Sequence, residues 1–232
     1  ALITIIFFAV YVSLTGDLGQ IKTKNRLREL FQQGRSINLL ATTRVFLFGA
    51  RDIWFVVGGP IFMSEVMGWS FTQIGSFMAI WIILYGVIQS LAPKILKKKN
   101  GTAPDGKTAT FLALFLCLSM AAILAAYFIY PNIPNLLIMG LYIFGFIFAL
   151  NSSVHSFLIL DYADNKKAAM NVGFYYMANA LGRLIGTLLS GILYQYFGLG
   201  GCLMGSLSFL LITTMVSLSL PKKRADLATG SK

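Results

Sequence analysis

Residues Thr43 to Pro60, TRVFLFGARDIWFVVGGP, place Arg44, Arg51 and Asp52 inside a stretch that otherwise suits lipid. Arg44 and Arg51 stand seven positions apart, so on an α-helix they share a face at a separation of ~10 Å. Asp52 is turned about 100° from Arg51 around the same helix. On an insertion scale each such charge at mid-bilayer costs ~2.5–3.5 kcal/mol. The three together rival the net stability of a whole protein, about 5–15 kcal/mol. A segment of this kind persists only where its charges meet a polar cavity or one another. Two readings follow: a substrate or ion pathway, or an Arg/Asp pair that locks two helices. Intramembrane ionisable groups favour the first.

Composition points the same way. Apolar residues make up 57% of 232 positions and charged residues 12%, and the apolar residues gather in runs near the length of a membrane crossing. The expected fold is all-α, a polytopic membrane helix bundle. A net charge of +11 does not imply nucleic acid, because the basic residues cluster in short connectors where the positive-inside rule accounts for them. Cys117 and Cys202 both lie in apolar runs without ligand spacing, so neither a disulfide nor a metal site is expected.

Residues 1–14, ALITIIFFAVYVSL, are too short to cross ~30 Å of hydrocarbon as a helix. They lack the basic n-region of a signal peptide, and read as the end of a truncated transmembrane helix, with the chain a fragment. Residues 15–36 form a basic connector with Lys22, Lys24, Arg26, Arg28 and Arg35. Leu27, Leu30 and Phe31 recur there at the spacing of an amphipathic helix on an anionic membrane face. Six spans are expected within 37–220, at about 37–64, 70–92, 108–130, 135–160, 168–197 and 201–220, followed by a basic tail at 221–232. Lys94, Lys97, Lys98, Lys99 and Lys107 crowd one connector, Lys166 and Lys167 another, and Lys222, Lys223 and Arg224 the tail. The connectors around Glu65, 131–134 and 198–200 carry no Lys or Arg. The basic loops and the C-terminus are therefore expected in the cytoplasm, with the protein in a bacterial plasma (inner) membrane.

Polar residues in the spans fall on lines. The first span has Arg44, Arg51 and Asp52; the second Gln73, Phe77, Trp81, Tyr85 and Gln89; the fourth Asn151 and His155; the fifth Asn171, Tyr175, Asn179 and Arg183. Four-residue spacing keeps each set on one slowly winding face. The third and sixth spans carry no charge within the membrane and can face lipid. Two three-helix repeats of this kind, with four polar faces turned to a central cavity, make one half of a major facilitator fold.

Other features have plainer readings. Gly182, Gly186 and Ser190 form a small-xxx-small surface for close helix packing. Asn151-Ser152-Ser153 fits a glycosylation sequon but lies inside a span. The Phe77/Trp81/Tyr85 stripe reads as packing. His155 fits a proton carrier by its titration range, with Asn151 one turn away, yet an ordinary buried histidine gives the same sequence. No nucleophile-and-base pair, phosphate-binding glycine loop or metal cluster is legible, so neither an enzyme nor a cofactor is expected.

FLFGARDIWFVV (46–57), WIILYGVIQSLAP (81–93), FALNSSVHSFLI (148–159) and VGFYYMANALGRLIGTLLSG (172–191) together resemble the C-terminal half of the organoarsenical efflux permeases, the ArsJ type of bacterial major facilitator protein. The similarity runs from about 37 to 220 and is most specific in GARDIWFVV and GFYYMANALGRLIGT. The first five helices and part of the sixth are absent. The resemblance implies a twelve-helix alternating-access exporter of 1-arseno-3-phosphoglycerate that confers arsenate resistance. It also implies a functional link to glyceraldehyde-3-phosphate dehydrogenase, which makes that compound, and a partner in the missing N-terminal half.

Such a substrate bears several oxyanions, and arginine's planar fork binds these bidentately. Arg44, Arg51, Arg183, Asn151, Asn179 and Tyr175 are the expected substrate-binding residues, with Asp52 and His155 as candidates for proton coupling. Arg51 and Arg183 should lie near mid-membrane and Arg44 nearer the cytoplasm. A facilitator of another phosphorylated or carboxylated anion would use the same arginines. A non-transporting membrane subunit with structural Arg/Asp pairs also fits the residues.

Overall fold

The computed structural model describes residues 33–96, 103–131, 133–163 and 168–221. The expectations for 1–14, for the connector up to 32, for Lys97–Lys99, Lys166 and Lys167, and for the tail from 222 fall outside them.

Among the described residues every regular element is an α-helix: α1 Arg35–Phe55, α2 Gly58–Glu65, α3 Phe71–Ile95, α4 Gly106–Ile129, α5 Pro134–Tyr162 and α6 Ala168–Ser217. Five runs are long and apolar enough to cross a membrane, with α1 and α2 forming one of them. The last is 50 residues, which as a straight helix would reach ~75 Å, more than twice the hydrocarbon thickness. It does not run straight. Gly198 takes φ 61° and ψ −160°, a backbone state open to glycine and strained for other residues. Twelve residues of straight helix would hold Ser190 and Cys202 ~18 Å apart, yet Cys202 Sγ lies 3.5 Å from the Ser190 carbonyl oxygen. The chain therefore folds back at Gly198, and α6 supplies two crossings, which makes six.

Contacts sort the helix ends into two groups. Tyr162 donates its hydroxyl to the Pro221 carbonyl at 2.9 Å, and Gly106 abuts Leu220 and Pro221. The start of α4, the end of α5 and the end of α6 thus share one face with Lys107. At the other face Tyr194 reaches Glu65 at 3.3 Å, Phe62 meets Tyr127, and Gly200 lies against Tyr127 and Phe128. Two apolar clusters follow this division. One, with Ile37, Leu40, Leu158, Tyr162 and Leu220, lies toward the Lys107 end; the larger, with Trp54, Trp81, Phe144 and Phe148, fills the rest.

Local chemistry sets the helix boundaries. Ser70 with Gln73, and Asp105 with Thr108, close capping boxes on α3 and α4, so Gln73 is used at a helix start rather than in a polar stripe. The first span breaks at residues 56–57, where Pro60 has no N–H to give the turn before it and sits instead in the first turn of α2, a position that needs none. Two amides freed by that break are recaptured: Val57 N and Gly58 N donate to Ser190 Oγ at 3.2 and 3.0 Å.

Gly182 and Gly186 bring α6 against α1 backbone to backbone, as their spacing predicts. A Cβ on Gly182 would meet the Val45 backbone, and one on Gly186 would lie 2.6 Å from the Gly49 carbonyl oxygen. α1 and the first half of α6 run side by side in the same direction, which places α6's polar line along α1's charges.

Candidate functional site

Asp52 is 1% exposed and both of its carboxylate oxygens are held. Arg51 reaches Oδ1 through Nε at 2.6 Å and Nη2 at 2.5 Å. Arg183, from α6, donates Nε to Oδ2 at 3.2 Å. The two arginines differ in setting: the Arg51 side chain is 11% exposed and that of Arg183 57%. One jaw of this cradle is packed into the bundle while the other stands on an open face. A carboxylate gripped by two guanidinium groups is stabilised by charge-assisted hydrogen bonds, the stronger class.

Arg44 belongs to a separate cluster on the Lys107 side of the cradle. Buried at 4% exposure, it donates Nε to Asn179 Oδ1 at 3.0 Å and Nη1 to the carbonyl and Oγ of Ser152 at 3.3 and 3.2 Å. Its guanidinium carbon lies 3.9 Å from the Phe48 ring centre and 4.9 Å from that of Tyr175. No carboxylate lies within ion-pair distance of it among the described residues. Aromatic faces attract a desolvated cation by ~2 kcal/mol or more, so π-clouds and neutral acceptors replace a counter-ion here.

Phe48 joins the two clusters. It lies one turn from both Arg44 and Arg51, and Arg51 stacks on it at 4.9 Å and on Phe148 at 5.3 Å. The shared face expected for Arg44 and Arg51 is therefore present, with an aromatic ring between the charges.

Of the expected site residues, the structure joins Arg51, Asp52 and Arg183 in one group and Arg44, Asn179 and Tyr175 in another. Asn151 and His155 are fully buried on α5, on either side of Ser152 in sequence. Sequence reasoning placed Tyr85 and Gln89 on a polar line without counting them among the binding residues, and met Ser152 only as part of a sequon. Tyr85 Oη and Gln89 Nε2 donate to Ser152 Oγ at 3.0 and 3.4 Å, so this small serine ties α3 and α1 to α5. The signal was present in the line Tyr85–Gln89 on α3, but nothing in sequence marks Ser152 as its acceptor. The rest of that stripe is core: Phe77 and Trp81 are buried, and Trp81 Nε1 donates to the Leu141 carbonyl at 3.0 Å.

Among the described residues no group of three or more His, Cys, Asp or Glu is placed to hold a metal. The profile described as the Major Facilitator Superfamily matches residues 1–186 of the 232. No curated protein matches the chain. A bundle of long apolar helices with charges paired between two of them agrees with the profile, which spans well over half of the sequence: this multi-pass membrane protein belongs to the Major Facilitator Superfamily of secondary transporters.

Proposed function

We propose that the chain is the C-terminal half of an exporter of an anionic organoarsenical, 1-arseno-3-phosphoglycerate, working by alternating access from the cytoplasm and conferring arsenate resistance. The observation that carries the anion reading is the Asp52 carboxylate seated between Arg51 and Arg183. A cradle that fits the protein's own oxyanion fits a substrate's oxyanion by the same donors. Substrate and Asp52 compete for them, and the released carboxylate accepts a proton, which couples export to the proton gradient. Arg44, without a counter-ion among the described residues, adds positive potential on the cytoplasmic side of the cradle. The organoarsenical itself rests on the resemblance of GARDIWFVV and GFYYMANALGRLIGT to the arsenical permeases.

Arg183 also supports a second half. A guanidinium this exposed near mid-membrane is costly against lipid, so another protein surface or a water-filled cavity faces it. The N-terminal half of the same transporter supplies that surface. The runner-up is export of a different phosphorylated or carboxylated anion, which the same cradle serves.

Two measurements test the reading with the whole transporter. Cells carrying it should grow on arsenate when the dehydrogenase is present and gain nothing on arsenite. Inverted vesicles should take up the arsenical, generated freshly by that enzyme because it hydrolyses. Uptake of 3-phosphoglycerate with no arsenate phenotype would favour the runner-up; uptake of neither would end the anion reading.

A further inference from the structure

α5 carries two polar side chains that the cradle does not use. Asn151 and His155 have no exposed surface, and neither the amide atoms of Asn151 nor either ring nitrogen of His155 reaches a protein partner among the described residues. Four positions apart on a continuous helix, they project from one face ~6 Å from each other. Ser152, beside Asn151, is the residue on which Arg44 docks. The pair therefore borders a buried guanidinium whose hydrogen-bond partners are all neutral. A buried polar group left bare costs ~1–3 kcal/mol, so four bare atoms would cancel much of an ordinary net stability of about 5–15 kcal/mol.

The donor and acceptor types of those atoms select what fits between them. The Asn151 amide offers two hydrogens and an acceptor oxygen, and a neutral imidazole offers one donor and one acceptor. An anion only accepts, and would leave Asn151 Oδ1 and one ring nitrogen bare. A cation coordinates only acceptors, and Arg44 repels it. Neutral species that donate and accept, and are small enough for a site without exposed surface, meet all four atoms, with a separate one at each ring nitrogen because the two point to different sides of the imidazole. Water does this, typically with two to four partners.

We propose that Asn151 and His155 hold buried water beside Arg44, so that the meeting point of α1, α5 and α6 is a hydrated seam. Water gives the Arg44 guanidinium exchangeable partners. When α1 shifts against α5, Arg44 passes from Ser152 to water without being stripped of hydrogen bonds. This last step rests on the transporter reading; the water site does not.

His155 is the single histidine of the sequence, which makes it its own probe. In protein with 15N-labelled histidine, the ring signals are assigned by their loss in His155→Gln. Magnetisation transfer from water to the imidazole is expected in the wild type and should fall several-fold in Asn151→Leu, which removes the water's second holder. Wild-type protein without transfer would mean a dry site and overturn the proposal. Transfer unchanged in Asn151→Leu would overturn the joint site. Ring shifts that follow replacement of chloride by gluconate at constant ionic strength would assign the place to an anion instead. Thermal unfolding gives a second reading with opposite signs. Shared water makes Asn151→Leu and His155→Phe each destabilising and the double variant less so than their sum. Two dry orphans make each change stabilising and the effects additive.

Discussion

At the scale of single residues, Asp52 is adjacent in sequence to one of its partners and 131 positions from the other. Removing one member of a buried pair strands the other's charge at a cost of ~3–5 kcal/mol, whereas replacing the whole pair is often close to neutral. Arg51→Ala should therefore lower the unfolding temperature in detergent and abolish export. The paired change Arg51→Gln with Asp52→Asn should recover most of the stability while export stays lost. Arg51→Lys keeps the charge without the fork and should weaken export rather than end it. Asp52→Asn alone should retain binding but lose any response to a pH gradient in inverted vesicles; an unchanged response would remove the coupling role and leave the cradle standing. Sequence spacing made the charges legible and placed Arg44 and Arg51 on one face. It could not show that Arg44 would be satisfied by Ser152, Asn179 and two rings, because π-faces and a serine four helices downstream carry no mark in a linear pattern.

At the scale of elements, the contact between α1 and α6 depends on side chains that are nearly absent. Gly186 lies against the Gly49 carbonyl oxygen and 3.0 Å, by its added Cβ, from Asp52 Cβ. Gly186→Ala should push the helices apart and cost ~1–3 kcal/mol, as overpacked sites do. It should also lengthen the Arg183–Asp52 contact, so export should fall with stability. Ser190→Ala leaves two backbone amides at the break in the first span without their acceptor, a loss of ~1–3 kcal/mol each at most; thermal unfolding of the purified protein reads both changes. The glycine line and the turn at 198–200 were legible from spacing and composition. The break at 56–57 was not: a first span reading 37–64 is continuous in hydropathy, and only the distant Ser190 hydroxyl shows how the chain tolerates the gap.

At the scale of the whole molecule, the ends of the helices fall into two faces, with Lys107 at one and Glu65 at the other. The positive-inside rule, read from the charge of the connectors, predicts the first on the cytoplasmic side. Cysteine placed at Ile133 should react with an impermeant thiol reagent added to intact cells, and cysteine at Ala103 should react only after the membrane is opened. Both positions are exposed, and native Cys117 and Cys202 are buried, so the background is low. The reverse pattern would invert the topology and move Arg44 to the outer side of the cradle. Six crossings were legible because apolar runs of membrane length leave few alternatives. The pairing of helices was not, since it depends on where glycine lets two backbones touch.

That touching has one more result. Helices that meet through glycine backbones have no compressible side-chain layer between them, and Ser190 anchors them again beyond the cradle. The gap between Arg51 and Arg183 then behaves as a fixed gauge. On the proposed anion reading, a half that moves as one unit keeps this gauge through the transport cycle, so the size of the oxyanion accepted on entry is also the size released on exit.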